Sequence, residues 1–137
     1  YTTLFRSPVT DAGYDRDSYV KYGRQRFLTA PLMKWMFGKY VSDPAQRGND
    51  LMSPVRASAE RLRGLPATLI VVAENDILRD EGEAMGRRLD EAGVEVTTVR
   101  FNGVVHDWGM LNGFAALHPT RTLIRLVGSV LRDYLEK

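Results

Sequence analysis

The segment "LPATLIVVAEND", residues 65–76, constrains the fold of this chain most strongly. Its centre is a nearly continuous run of apolar and β-branched residues, and polar residues end it. A strand that is apolar on both faces is typical of a parallel sheet covered by helices on both sides. The run is far too short to cross a bilayer. We therefore expect an α/β protein without a membrane span.

A helix and a second strand follow this segment. "RDEGEAMGRRLDEAG" has acids at its start, arginines further on and Gly93 at its end, which favours a capped helix. We expect its acids Asp80, Glu81 and Glu83 to stabilise the first turn. "VEVTTVRF", residues 94–101, predicts the next strand, after which Asn102 and Gly103 should turn the chain.

The last helix is predicted to start near Pro119. Apolar residues recur along it at helical spacing, which predicts one buried side. That side consists of Leu123, Leu126, Val127, Val130, Leu131 and Tyr134.

Residues 13–56 form a different region, rich in aromatic residues and proline. One helix is predicted within it, capped by Thr29 and with Pro31 in its first turn. Its predicted buried stripe consists of Leu32, Trp35, Met36 and Tyr40. We expect the aromatic residues to pack in a core, with pocket lining as the alternative.

Composition excludes several classes of function. The formal net charge is +2 with both signs interspersed, so no nucleic-acid face is expected. There are no cysteines, and the two histidines, His106 and His118, lack a metal-binding spacing. We expect neither a metal nor a cofactor. A chain without cysteine suits any compartment, and we favour the cytoplasm.

An acid and a histidine follow the two predicted strands. Asp76 ends the first strand segment, and His106 follows the loop after the second. In parallel sheets, chemistry sits at the carboxyl ends of strands. Acid before histidine is the order of the last two members of an α/β-hydrolase triad. Spacing alone leaves two alternatives open, because such an acid can be a helix cap and a loop histidine can be structural.

Two neighbours of this pair are expected to have other roles. Asp107 follows the histidine directly, and in an extended loop it would point elsewhere and bond within the loop. His118 precedes Pro119 at a helix start, which predicts a surface or capping residue.

Several separated segments resemble the hormone-sensitive-lipase-like α/β-hydrolases. They are "PVTDAGYD", "FLTAPLMKW", "DPAQRGNDLMSPVRA", "AENDILRDEGEAMGRRLDEAGVEV" and "FNGVVHDWGML". The resemblance implies that Asp76 is the catalytic acid and His106 the catalytic histidine. Ile77 stands where the family usually has proline, a backbone difference that should not affect chemistry.

The resemblance also implies an architecture and an activity. Residues 57–137 would be the C-terminal half of an α/β-hydrolase fold, a mostly parallel sheet flanked by helices. Residues 13–56 would be part of a helical cap. The family hydrolyses short- to medium-chain acyl esters without a cofactor. A substrate pocket lined by Phe27, Leu28, Trp35 and Met36 and a homodimer along the strand at 94–101 are further expectations.

The nucleophile of that family is missing from this sequence. It stands in G-x-S-x-G, yet none of the 12 glycines has serine two places later, and there is no H-G-G run for an oxyanion hole. The family places both upstream of "PVTDA". We therefore expect a fragment of a serine carboxylesterase that is nearly inactive alone.

The first twelve residues are interpreted in two parts. Residues 1–7, "YTTLFRS", are what the adapter end "tacacgacgctcttccgatct" encodes, so we predict a non-native leader. A divergent native strand is the alternative. Residues 8–12, "PVTDA", are predicted to be the end of a core strand.

Two other classes of protein are alternatives to the esterase. A non-enzymatic binding or interaction module descended from the hydrolase fold stays open. A receiver-like or dinucleotide-binding domain is disfavoured, because "ENDILRDEGE" after the strand contains no glycine-rich phosphate cradle.

Overall fold

A parallel three-stranded sheet lies at the centre of the structure. The computed structural model describes the backbone of residues 3–6 and all of residues 9–136. Within these residues the strands stand in the order β1-β2-β3. They are β1 (Thr3–Arg6), β2 (Thr68–Asn75) and β3 (Val96–Val105). Thr68 of β2 pairs with Thr3 on one side and Val96 on the other. The predicted parallel α/β sheet is confirmed.

Helices separate and cover the strands. Thr29 accepts a hydrogen bond from the backbone N–H of Leu32, as expected of an N-cap. The α-helices are α1 (Asp17–Tyr22), α2 (Ala30–Tyr40), α3 (Ala59–Leu62), α4 (Arg79–Glu91) and α5 (His118–Leu135). Short 3₁₀ helices lie at Pro44–Gly48, Pro54–Arg56 and Asn112–Phe114.

Both faces of β2 are buried, which explains its apolar sequence. Ile70 and Val72 pack in one cluster with Met85 and Leu89 of α4. The alternating residues of β2, with Val71 among them, pack in a second cluster with Trp108 and α5. The central strand is therefore covered by helices on both sides, as its sequence predicts.

A third apolar cluster joins residues 12–37 to the loop after β2. Tyr19 and Tyr22 of α1 and Met33 and Phe37 of α2 pack there against residues 77–78. The predicted buried stripe of α2 is wrong, because its members are exposed. Their exposed fractions are Leu32 41%, Trp35 61%, Met36 39% and Tyr40 78%. Met33 and Phe37, also four residues apart, fill the core instead.

The buried side of α5 is correct in part. Leu123 is buried, and Leu126, Val127 and Val130 pack against the second cluster. Leu131 is more than one-third exposed. At this position α5 is therefore less buried than the apolar spacing of its sequence predicts.

Two sequence-based strand boundaries change. The strand before the first cap helix ends at Arg6, and residues 9–12 carry no strand. Ladder pairing with β2 places β1 at Thr3–Arg6, within the segment interpreted as a leader. Residues 1, 2, 7 and 8 lie outside the described residues, so the non-native leader stays a prediction.

The predicted turn at Asn102–Gly103 is also wrong. Both residues lie within β3, which continues to Val105. The register of the β2–β3 ladder shifts between Ala73 and Asn75 of β2, and this irregularity accommodates the two residues within β3. Gly103 has a φ of 73°, a left-handed conformation that glycine adopts readily. Over the described residues, every helix is too short or too polar to cross a membrane.

Candidate functional site

Asp76 lies at the carboxyl end of β2, in the short loop before α4. Asp76 is 2% exposed. Its Oδ1 atom accepts the backbone N–H of Leu78 at 3.0 Å. Ile77 and Leu78 are fully buried against helices α1 and α2, which anchors the loop on that side. One carboxyl oxygen is thus held by the backbone, and the other is free to meet a second side chain.

His106 follows β3 directly and meets that second oxygen. The irregularity in β3 brings the strand end toward β2, and the Gly103 N–H donates to Glu74 Oε2 at 2.7 Å. The Nδ1 atom of His106 lies 2.8 Å from Oδ2 of Asp76. Val104 and Trp108, which flank the histidine, are buried in the core under α5. The histidine is therefore presented from a loop anchored on both sides.

This geometry assigns the two imidazole nitrogens different roles. A carboxylate accepts hydrogen bonds, so Nδ1–H is the donor and Asp76 Oδ2 the acceptor. The Nε2 atom is then the nitrogen that can take up a proton. The His106 side chain is 16% exposed.

Asp107 approaches the same nitrogen from the other side. Its Oδ1 atom lies 3.4 Å from Nε2 of His106. The expectation that Asp107 points elsewhere assumed an extended loop, whereas its φ is 61°. This left-handed conformation turns the carboxylate back toward the imidazole. Sequence offered no direct signal for it beyond the tolerance of aspartate for such a φ.

Phe27 is the predicted pocket residue that the structure brings to His106. The two rings stack, with centroids 6.4 Å apart and an interplanar angle of 21°. Phe27 is 57% exposed. This contact joins the segment between α1 and α2 to the loop after β3.

The other three predicted pocket residues lie in different surroundings. Leu28 is buried in the third apolar cluster, which joins residues 12–37 to the loop after β2. Trp35 is exposed on α2, with the Lys39 amine 6.0 Å from its ring centroid. Met36 lines an apolar groove of about 330 Å³ to which neither Asp76 nor His106 belongs. Of the four residues, Phe27 is thus the one whose ring stacks on the histidine.

A compact ion network surrounds Asp11. Asp11 is buried and accepts from Arg16 at 2.8 Å and from Arg56 at 3.0 Å. Burial raises the pKa of Asp11, but the Arg16 hydrogen bond, the Gly13 N–H and the Arg56 charge together hold it below its ordinary value. Asp11 is therefore a charged structural residue with two cationic partners.

Glu81 is a polar residue whose burial sequence reasoning missed. It looks like a solvated first-turn acid, yet its side chain is fully buried. It accepts backbone N–H groups of residues 10 and 11, about seventy positions away. No local pattern encodes so distant a contact. Asp80 likewise accepts the Ser18 N–H at 2.7 Å, so two of the three acids bind backbone that is distant in sequence.

No group of three side chains suited to hold a metal occurs among residues 9–136. The candidate site is thus an acid–histidine pair flanked by an aromatic ring and a second carboxylate. An acid–histidine pair of this kind is how nucleophilic hydrolases orient their general base.

Comparison with known proteins identifies the fold family of the chain. The sequence profile of the alpha/beta hydrolase fold matches residues 2–110. The chain belongs to the α/β-hydrolase family. It is 39% identical over 101 residues to ethyl acetate hydrolase of Pseudomonas putida, covering 74% of this chain and 31% of that protein.

Solved esterases share the fold. A thermostable esterase from Pseudomonas putida superposes with a TM-score of 0.90 at 44% identity, covering 93% of this chain and 40% of the esterase. Brefeldin A esterase, a bacterial homologue of human hormone-sensitive lipase, superposes at 0.87 with 28% identity, covering 96% and 39%. These matches confirm the resemblance to hormone-sensitive-lipase-like hydrolases.

The chain matches only part of the length of each relative. The chain spans about a third of the length of the curated relatives and about 40% of the solved esterases. The predicted C-terminal half of an α/β-hydrolase fold is thereby supported.

Proposed function

We propose that this chain supplies the acid and the base of a serine carboxylesterase. The observation that carries the proposal is the 2.8 Å contact between Asp76 Oδ2 and His106 Nδ1 at adjacent strand ends. Esterase relatives of the same fold support it. The serine and the oxyanion-hole amides belong to a part of the enzyme that this sequence does not contain.

The chemistry follows from the roles of the two residues. The serine Oγ attacks the acyl carbonyl while His106 Nε2 takes its proton. The imidazolium then returns this proton to the leaving alcohol, which departs from an acyl-enzyme. Water attacks the acyl-enzyme by the same route and releases the acid and the free serine. Asp76 keeps Nδ1 protonated and stabilises the imidazolium in both steps.

Short- to medium-chain acyl esters are the proposed substrates. Residues 13–56 would form part of a cap above the histidine, with Phe27 as one wall of the pocket. Ethyl acetate hydrolysis by a relative favours a small acyl group. The roles of Leu28, Trp35 and Met36 as lining residues, and a homodimer along residues 94–101, stay predictions.

The experiment completes the enzyme. Residues 9–137 are joined behind the N-terminal part of Pseudomonas putida ethyl acetate hydrolase, and hydrolysis of p-nitrophenyl esters of rising acyl length is measured. We expect turnover that is highest for short acyl groups and is abolished by His106→Ala. His118→Ala is the matched control, because His118 is exposed at the start of α5.

Two results would count against the proposal. A folded chimera that hydrolyses no ester would contradict the esterase. A chimera whose turnover survives His106→Ala would show that the histidine is not the base. The first result would favour the interaction module descended from this fold.

A further inference from the structure

Glu81 is the buried charge-bearing group that the proposed chemistry does not use. Its residue is 0% exposed, and it lies in the first turn of α4, five residues after Asp76. Burying an ionised carboxylate is costly unless it is paired and fully hydrogen-bonded. Its partners therefore decide which protonation state it adopts.

The two carboxyl oxygens of Glu81 have different surroundings. Oε1 accepts the backbone N–H of Thr10 at 2.7 Å and that of Asp11 at 3.1 Å. The Thr10 hydroxyl also donates to the Glu81 backbone carbonyl at 3.0 Å. Oε2 is buried and accepts no hydrogen bond from the described residues. The buried hydroxyl of Tyr19, on α1, is also without a hydrogen bond of ordinary geometry there.

The cations near Glu81 pair with a different carboxylate. Arg16 donates to Asp11 Oδ2 at 2.8 Å, while its buried Nε atom has no hydrogen-bond partner among the described residues. Arg56 is bound to the same carboxylate. On the α1 side the neighbours are the hydroxyls of Tyr14 and Tyr19, which supply no positive charge. Among the described groups, no cation forms an ion pair with Glu81.

We propose that Glu81 is a neutral carboxylic acid at neutral pH, and that its Oε2–H donates to Tyr19. In this form Glu81 clasps residues 10–11 and helix α1 to the helix that follows Asp76. Oε1 keeps its two N–H donors, and each buried oxygen gains a partner. The clasp is independent of ester hydrolysis and stands whether or not that proposal holds.

The electrostatics agree with the geometry. Burial raises the pKa of Glu81 to about 8, against an ordinary value of 4.5. The N–H groups of residues 10 and 11 and the Arg16 charge oppose this rise, while the Asp11 carboxylate adds to it. Burial is the main cause of the raised pKa of the Tyr19 hydroxyl. Tyr19 is thus a permanent neutral partner.

The clasp makes Glu81 a positioning residue rather than a catalytic one. Ser18, next to Tyr19, donates its hydroxyl to the carbonyl of Ile77 at 2.6 Å. Ile77 directly follows Asp76. Holding α1 against α4 therefore also fixes the loop that presents the acid to His106.

The direct test is a carbon-13 NMR titration of the glutamate side-chain carboxyls of the 137-residue chain. The Glu81 signal is assigned by its absence from Glu81→Gln. We expect it to titrate near pH 8. A Glu81 carboxyl that titrates close to 4.5 would overturn the proposal.

The second test separates a titrating clasp from a purely structural one. Urea unfolding is followed from pH 5 to pH 9 for the parent chain, Glu81→Gln and Glu83→Gln. Glutamine can accept both N–H groups and donate to Tyr19, so Glu81→Gln should fold and keep its stability as pH rises. Glu83 pairs with Arg100 at the surface, so Glu83→Gln should retain the parent's pH dependence. A Glu81→Gln chain with the parent's full pH dependence would contradict the proposal.

Discussion

Asp76 and His106 are thirty residues apart in sequence, and their side chains meet at 2.8 Å. Each follows one of two paired parallel strands, so the sheet itself brings them together. Backbone donation from Leu78 and burial of Trp108 fix the acid and the histidine loop respectively. The pair is therefore built by the sheet, and the contacts of Ile77 and Leu78 with helices α1 and α2 help to hold the loop of the acid in place.

Replacing the acid tests its role without disturbing its packing. In the completed hydrolase, Asp76→Asn should lower kcat by about 10⁴, because the amide favours the wrong imidazole tautomer. The amide oxygen can still accept the Leu78 N–H, so stability should change little. Steady-state kinetics on p-nitrophenyl acetate measure the effect. Asp90→Asn, at an exposed position of α4, is the control and should leave kcat unchanged.

Phe27 should influence substrate choice more than the chemical step. Phe27→Ala removes the ring that stacks on His106 and opens space beside it. In the completed hydrolase we expect a higher KM for short acyl esters and a shift of kcat/KM toward longer ones. Lys34→Ala on α2 is a control outside this contact. An unchanged acyl-length profile in Phe27→Ala would remove Phe27 from the pocket.

The Asp11 network should stabilise the chain except in acid. Because the folded-state pKa of Asp11 is lowered, its contribution is present above the ordinary value of 3.8 and is lost as pH falls through the folded value. Asp11→Asn should therefore reduce stability at pH 7 and flatten its decline in acid. Urea unfolding at pH 7 and pH 3 measures both effects. Equal losses at the two pH values would contradict an ionic contribution.

Helix α4 packs closely on β3 at Gly86. A Cβ added there would collide with the Thr98 hydroxyl. Gly86→Ala should destabilise the chain by roughly 1–3 kcal/mol, the usual cost of overpacking. Thermal unfolding checks this, and Thr98→Ala should relieve the cost in the double variant.

The matched control is a glycine with free space. A Cβ at Gly128, within α5, meets nothing within 4 Å. Gly128→Ala should stabilise the chain by about 0.5–1 kcal/mol, because glycine is unfavourable inside a helix. Equal effects of the two alanine substitutions would contradict the close approach at Gly86.

Local patterns predict the central strand, helix α4 and the pair at the strand ends. The run in β2 is unambiguous because both its faces are buried. The buried face of helix α2 is predicted wrongly because apolar residues cover most of its circumference, so periodicity selects no single face. Met33 and Phe37 face inward only because α1 and the 77–78 loop lie there.

The remaining errors come from contacts that sequence does not display locally. The continuation of β3 through Asn102 and Gly103 depends on pairing with β2. The approach of Asp107 to His106 depends on one positive φ. Glu81 resembles a surface acid until residues 10 and 11 cover it.

The most direct test of the central claim is the source DNA upstream of the codon for Pro8. If this chain carries the acid and the base of a serine hydrolase, an in-frame G-x-S-x-G should precede "PVTDA". A native start codon immediately ahead of residue 1, with no such motif in frame, would contradict the claim. The fold would then have kept the Asp76–His106 pair without the nucleophile that it serves.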